Sequence, residues 1–194
     1  MNFDDVNDYL LIQDIIPVGD SQEILKKIKL RDKEWYQHQW YNPGEKVYHT
    51  EDEGEPLVMR ANEDESNFLV PFIHKAIGAY VSRLPYDDDV RTAEFIHRTS
   101  CVRFNNYPLG ARMAIHFDHI RDIFDGENKG VPILSIIGCL NSDYEGGELS
   151  FFGGKVLHKL TAGQICIFPS NFMYPHEVLP VTGGNRFTFV SWAF

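Results

Sequence analysis

The chain is poor in the features that mark several large protein classes. It has three cysteines, Cys101, Cys139 and Cys166, with no C-x-x-C pair among them. A disulfide framework or a thiolate zinc site is therefore not expected. All three lie in apolar, strand-like runs, which predicts buried free thiols in a reducing, cytoplasmic setting. No apolar run approaches the roughly eighteen residues of a membrane span, and the opening MNFDDVNDYL lacks the basic and apolar regions of a signal peptide. Positive charge is scarce: 18 Lys and Arg face 28 Asp and Glu, a formal charge of −10. Such a surface repels phosphate, so general nucleic-acid binding is not expected, although a local basic pocket is compatible with it. There is no internal repeat, no low-complexity segment and no βαβ rhythm.

What is present describes a globular domain. A length of 194 residues suffices for a real core, and 43% apolar with 24% charged residues is ordinary for a folded chain. Tyr9 to Val18 reads as a strand. Asp20 or Ser21 is placed to cap a helix running to about Leu30. The polar, turn-rich stretch from Tyr41 to Asn62 reads as an exposed loop or irregular hairpin. From Asn67 to Leu84 apolar residues recur at helical spacing, predicting an amphipathic helix with Pro71 in its first turn.

From Ala93 the period changes. Eight short apolar runs alternate with turn residues: FIHRTSCVRF, MAIHFDHI, PILSIIGCL, ELSFF, KVLHKL, QICIFP, HEVLPV and RFTFVSWAF. That pattern predicts a β-sandwich or barrel, with the helices N-terminal to it as a brace. Asp143 to Leu149, Ala162-Gly163, Pro169 to Asn171 and Val181 to Asn185 read as the turns.

The chemistry is carried by few residues. In a strand, positions i and i+2 share a face, so His116 and Asp118 converge while Phe117 turns away. His176, in YPHEVLP, is the candidate third ligand from another strand. Two His and one carboxylate leave three metal positions open, the arrangement of Fe(II) oxygenases that bind O2 and a chelating cosubstrate together. Arg186 follows His176 by ten residues in the next predicted strand, with Thr188 on the same face. A guanidinium beside a hydroxyl suits a carboxylate at the closed end of a pocket, as a five-carbon 2-oxo diacid requires. The other histidines, His38, His49, His74, His97, His119 and His158, are read as ordinary side chains. A zinc-type hydrolase using the same triad and a metal-free binding module are the alternative classes. The hydrolase would need a general base and no role for Arg186.

The segments YPLGARMAIHFD, SIIGCLNSDYEGGELSFF and AGQICIFPSNFMYPHEVLPVTGGNRFTFVSW resemble the prolyl 4-hydroxylase-like branch of the Fe(II)/2-oxoglutarate oxygenases. The resemblance covers about half the chain, from Cys101 to Phe194. It implies a mainly β fold with α-helices: a double-stranded β-helix (jelly-roll) core, residues 93–194, braced by a mixed α/β region, residues 1–92, in one oxygenase domain. It implies iron ligands at His116, Asp118 and His176 and a 2-oxoglutarate clamp at Arg186, with Thr188 and Tyr107 as secondary cosubstrate contacts. It further implies Fe(II), 2-oxoglutarate and O2, with ascorbate as a reductant. The expected reaction is hydroxylation of a C–H bond. The expected substrate is a peptidyl proline, or instead a free amino acid or other small molecule. Two positions depart from the branch: Met113 and Cys139 stand where tyrosines are frequent. Where the nucleic-acid dealkylating branch carries a second arginine, this chain has Trp192. The substrate entrance is expected at Ile120 to Gly130 and at Tyr41 to Asn62.

Overall fold

The computed structural model describes residues 6–42, 45, 47–50, 54–84, 96–118 and 130–194. The elements in order are β1 (Leu11–Asp14), α1 (Val18–Lys29), β2 (Tyr36–Gln37), β3 (Trp40–Asn42), β4 (Val47–His49), β5 (Leu57–Arg60), α2 (Glu63–Val81), β6 (Arg103–Tyr107), β7 (Met113–His116), β8 (Leu134–Cys139), β9 (Tyr144–Gly146), β10 (Leu149–Phe151), β11 (Val156–His158), β12 (Gln164–Pro169), β13 (His176–Val178), β14 (Val181–Gly184) and β15 (Arg186–Ala193).

The strands form a seven-stranded antiparallel sheet, in the order β1-β12-β8-β15-β6-β5-β2, and a four-stranded sheet, β11-β10-β13-β7. Two small pairs, β14-β9 and β3-β4, complete the fold. The expected jelly roll with helical support is the architecture found.

The large sheet has two buried faces, and strand alternation sorts side chains between them. Leu134 and Ile136 of β8, Ile165 and Ile167 of β12, and Phe187 and Phe189 of β15 join one core with Ile24 and Ile28 of α1 and Leu69, Ile73 and Ile77 of α2. The alternate residues, Ile137 and Cys139, Cys166 and Phe168, and Val190, join a second core with Leu149, Phe151 and Val178 of the smaller sheet. The first core fastens the helices, and the second lies between the sheets, where the site is built. Phe189 of β15 is directly opposite Gly138 of β8, and its ring lies over that position: a Cβ there would fall 2.0 Å from the ring.

Several sequence expectations shift. The first strand is only Leu11–Asp14, and α1 begins at Val18 behind Pro17 with no side-chain cap, so neither Asp20 nor Ser21 caps it. Ser21 is instead buried one turn in. Helix α2 starts earlier than its apolar spacing suggests, because its first turn is acidic: Glu63 and Asp64 are exposed, and Glu65 is buried against Arg31. Asn62 and Glu65 form a reciprocal capping box, and Pro71 lies well inside the helix rather than in its first turn. The run predicted as one strand from Phe95 to Phe104 resolves to β6 from Arg103, with Thr99 making an isolated bridge to Ala193. The turn expected at Asp143 to Leu149 and the hairpin at Val181 to Asn185 each contain a short strand, and these two strands pair with each other. Gly146 and Gly147 there do adopt the expected left-handed φ, 66° and 64°. Cys139 and Cys166 are buried free thiols, but Cys101 is exposed and outside any strand. No described helix is long and apolar enough to cross a membrane.

Candidate metal centre and cosubstrate pocket

Strands β7 and β13 pair antiparallel at the edge of the smaller sheet, and their register sets His116 directly opposite His176. Sixty positions of sequence separation thereby become a ring-centroid distance of 4.3 Å. Asp118 lies just past the end of β7, not within it, with Oδ1 3.9 Å from His116 Nε2. One ligand atom from each of the three falls within 4.8 Å of the others, the only such acid, His or Cys group large enough to hold a metal ion among the described residues. Phe117 between them points outward and is 47% exposed.

The supporting groups fix how each ligand is presented. His116 Nδ1 meets the Ala114 carbonyl at 2.8 Å, and His176 Nδ1 meets the Tyr174 carbonyl at 3.0 Å. Only an N–H can serve a carbonyl, so both rings donate from Nδ1 and keep the Nε2 lone pair for a metal. Phe168 and Phe151 flank the His176 ring at 4.8 and 5.6 Å. Burial, then the neighbouring His176, holds the His116 imidazole down to about 4, so it is neutral and ligand-ready at physiological pH. Burial alone would raise the Asp118 carboxyl. The two histidines, the Ser135 hydroxyl and the Trp192 indole outweigh burial and keep it below its ordinary value. Ser135 Oγ in turn lies 2.9 Å from Ser170 Oγ.

A cavity of about 420 Å³, counted out to its mouth, connects this triad with Arg186. Arg186 is 1% exposed, and none of its three guanidinium nitrogens has a hydrogen-bond partner among the described residues. The Tyr144 phenol lies near it but gives its own proton to the Leu160 carbonyl, and the Tyr107 ring lies 5.0 Å beneath the cation. Thr188 Oγ1 is also buried without a partner. A fully buried arginine with no acceptor is a severe desolvation cost, which a carboxylate arriving in the cavity removes. The residues present therefore fit both groups implied by the sequence: a facial His/Asp/His donor set for Fe(II), and an orphaned fork for the distal carboxylate of a diacid.

The expected site residues His116, Asp118, His176, Arg186 and Tyr107 all line this one cavity. Thr188 is on the same face of β15, two residues from Arg186. Met113, where a tyrosine is frequent, takes the Tyr107 hydroxyl against its sulfur at 3.8 Å.

Sequence reading passed over Arg103, Asn105, Ser135 and Trp192, which line the cavity too. For the first two a signal existed: in RFNNY, Arg103 and Asn105 precede Tyr107 by four and two positions and so share its face. It also passed over His38. This histidine is buried, with Nδ1 3.2 Å from Glu55 Oε2 though not aligned for a hydrogen bond, while Glu55 Oε1 accepts from Trp40 Nε1 at 3.1 Å. The Trp40 ring then meets His116 edge-on at 5.1 Å. The stretch expected as an exposed loop or irregular hairpin from Tyr41 to Asn62 thus contains the antiparallel β3-β4 pair, but also strand β5 of the large sheet and a buried acid behind His116. Of the other expected entrance segment, Ile120 to Gly130, residues 120–129 lie outside the described residues.

The fold and this site define a class, a jelly-roll protein with a His/Asp/His triad placed to hold a metal and a cationic pocket end. Residues 102–194 match the 2OG-Fe(II) oxygenase superfamily. A PKHD-type hydroxylase of Nitrobacter winogradskyi is 38% identical over 97 residues, 46% of this chain and 41% of that protein. One of Shewanella oneidensis is 36% identical over 93 residues, 46% of this chain and 40% of that protein. The chain thus spans about two-fifths of the length of these relatives. Among solved structures, a prolyl hydroxylase of Trichoplax adhaerens, in complex with a hypoxia inducible factor oxygen degradation domain peptide fragment, shares the fold. Its TM-score is 0.70 at 18% identity, over 96% of this chain and 84% of that one. A prolyl-4-hydroxylase of Pseudomonas putida does so with TM-score 0.64 at 21% identity, over 95% and 91%. Residues 102–194, just under half the chain, are thus similar to the 2OG-Fe(II) oxygenase superfamily, and PKHD-type hydroxylases are among the chain's relatives.

Proposed function

We propose that the protein is an Fe(II)- and 2-oxoglutarate-dependent dioxygenase that hydroxylates a substrate C–H bond, and that residues 1–194 act as one oxygenase domain. The observation that carries this reading is the single cavity with a His/Asp/His triad and an orphaned Arg186 along its wall. His116, Asp118 and His176 would hold the iron. Arg186 would clamp the distal carboxylate of 2-oxoglutarate, with Thr188 and Tyr107 as further contacts. Bound iron and 2-oxoglutarate supply the oxidising power, O2 being reduced as the diacid is decarboxylated to succinate and CO2.

The chain's own residues do the rest. The two Nδ1–H to carbonyl contacts orient the imidazoles, and Ser135 orients Asp118. The apolar lining, Met113, Ile137, Leu149, Val178 and Val190, excludes water around the reacting groups.

A peptidyl proline is the first substrate to try, since a relative in fold was solved with a hypoxia inducible factor peptide fragment. Free amino acids and small metabolites are the second class. Ascorbate would serve as reductant. A cytoplasmic location is consistent with the unpaired Cys139 and Cys166.

The test is substrate-stimulated succinate formation that requires Fe(II) and 2-oxoglutarate. Turnover of 2-oxoglutarate independent of metal, or hydrolysis with Zn(II) and no need for Arg186, would refute it.

A further inference from the structure

One buried acid takes no part in the proposed chemistry. Glu55 is 3% exposed, yet neither it nor its neighbours His38 and Trp40 line the cavity. Its backbone is fixed from two sides. Gln37 Nε2 donates to the Glu55 carbonyl at 2.6 Å, and the His38 N–H donates to the Pro56 carbonyl at 2.9 Å, which carries the pairing of β2 with β5 one step further. From the other side, the Arg112 N–H, one residue before β7, donates to the Gly54 carbonyl at 2.7 Å. Glu55 is thereby set between the segment that presents Trp40 and the strand that ends in His116.

Its side chain holds an aromatic wall. Oε1 accepts from Trp40 Nε1 at 3.1 Å, Oε2 lies 3.2 Å from His38 Nδ1, and the His38 ring packs edge-on against Trp40 at 4.9 Å. The indole, fixed at its N–H and along its ring, then meets His116 edge-on at 5.1 Å. His116 needs such a neighbour. The contact of its Nδ1 with the Ala114 carbonyl fixes one nitrogen, but a ring held at one point still rocks about it, and rocking displaces Nε2 on the far side. The His176 ring has walls of its own, Phe168 at 4.8 Å and Phe151 at 5.6 Å. Trp40 fills that place for His116. A phenylalanine wall needs no polar partner, whereas a partly buried indole N–H does, and this accounts for a buried acid behind Trp40.

We propose that Trp40, held by Glu55 and His38, is a positioning residue that fixes the His116 ring for metal binding. This rests on the metal site of the oxygenase reading and adds to it a segment outside the matched residues 102–194. Trp40 does not line the cavity, so it acts through His116 and not on what the cavity binds. Loss of a group that orients a metal ligand lowers metal affinity by about 10- to 100-fold, and a packing contact belongs near the lower figure.

The test uses the full chain loaded with Co(II), whose unpaired electrons displace the ring N–H proton signals of each histidine ligand. Wild type should show two such signals, told apart by their contacts with the Trp40 ring and with Phe168. Trp40→Leu should weaken Co(II) binding about tenfold in competition with a chelator. It should also move the His116 N–H signal or speed its exchange with water, while the His176 signal stays in place. Trp40→Phe, which keeps a ring edge against His116, should bind Co(II) within threefold of wild type. Glu55→Leu, which leaves the indole N–H without its acceptor, should disturb the His116 signal, and Glu55→Gln, which keeps an acceptor, should not. If Trp40→Leu folds poorly, Trp40→Met serves instead. Unchanged Co(II) affinity and an unchanged His116 signal in Trp40→Leu overturn the proposal. So does an equal disturbance of both histidine signals, which would mark a general loosening, or a failure of Trp40→Phe to restore binding. A wild-type protein that binds no Co(II), or binds it without the two histidine signals, would strike the metal site of the oxygenase reading and this proposal with it.

Discussion

The two faces of β15 are one strand under two sets of demands. Phe187 and Phe189 turn to the helices, and Ser191 beside them bonds to Ser100, so this face is satisfied within the chain. Arg186, Thr188 and Trp192 turn the other way, where the guanidinium of Arg186 and the hydroxyl of Thr188 are buried without partners. The first face holds the fold together. The second carries strain-free backbone but unsatisfied chemistry, the condition expected of a site preorganised for a ligand. A side chain on the first face should matter for stability and not for binding, and one on the second the reverse.

The largest effect should come at the metal triad, where the comparison is sharpest. His116→Ala or His176→Ala should leave a folded protein with Fe(II) or Co(II) affinity reduced a hundredfold or more, since three ligands are the minimum for a site with open positions. Full metal stoichiometry in both variants, by elemental analysis, would break the assignment.

Next comes a pair of opposite sign on β15. Phe189→Ala should cost about 3–5 kcal/mol in denaturant unfolding and leave 2-oxoglutarate affinity near wild type, because it empties the helix-side core. Arg186→Leu should raise the melting temperature of the ligand-free protein, by removing a buried unpaired cation, and abolish the further rise on adding 2-oxoglutarate. A ligand-free melting temperature that falls in Arg186→Leu would show that the guanidinium is satisfied within the fold.

A smaller effect is expected from pH. His116 is held at about 4, below its ordinary value near 6.5, by burial and then by His176. The unfolded chain therefore binds a proton that the folded one refuses between those values. Ligand-free stability should be level above pH 6.5 on this account and fall as pH drops toward 4, by on the order of 3 kcal/mol at most. His116→Phe should flatten that slope, and a slope unchanged in the variant would place its origin elsewhere.

The smallest change lies far from the cavity. Asn62→Ala removes the cap of α2 and should cost about 1 kcal/mol, with no change in metal or cosubstrate affinity. A change in the 2-oxoglutarate KM there would mean that the helix side and the cavity side are coupled.

How much was legible follows from range. His116 and Asp118 could be paired in advance because positions two apart on extended chain share a face, and this held although Asp118 lies just past the end of β7. Arg186 with Thr188 followed by the same rule, whereas burial of β8, β12 and β15 on both faces was not foreseen, because it depends on which layers pack against the sheet. The capping box was equally local, N-x-x-E from Asn62 to Glu65, yet an apolar-spacing reading missed it because that first turn carries no apolar residue.

By itself the sequence determined the strand-rich C-terminal half, the residue types able to bind iron and a diacid, and the N-terminal helices, since all of these depend on periodicity and turn chemistry within a few residues. Only the tertiary structure decided that His176 lies opposite His116, that β9 and β14 pair across distant turns, and that Glu55, His38 and Trp40 back His116. Each of these depends on strand register between segments far apart in the chain, and register is fixed by the packing of both sheet faces at once.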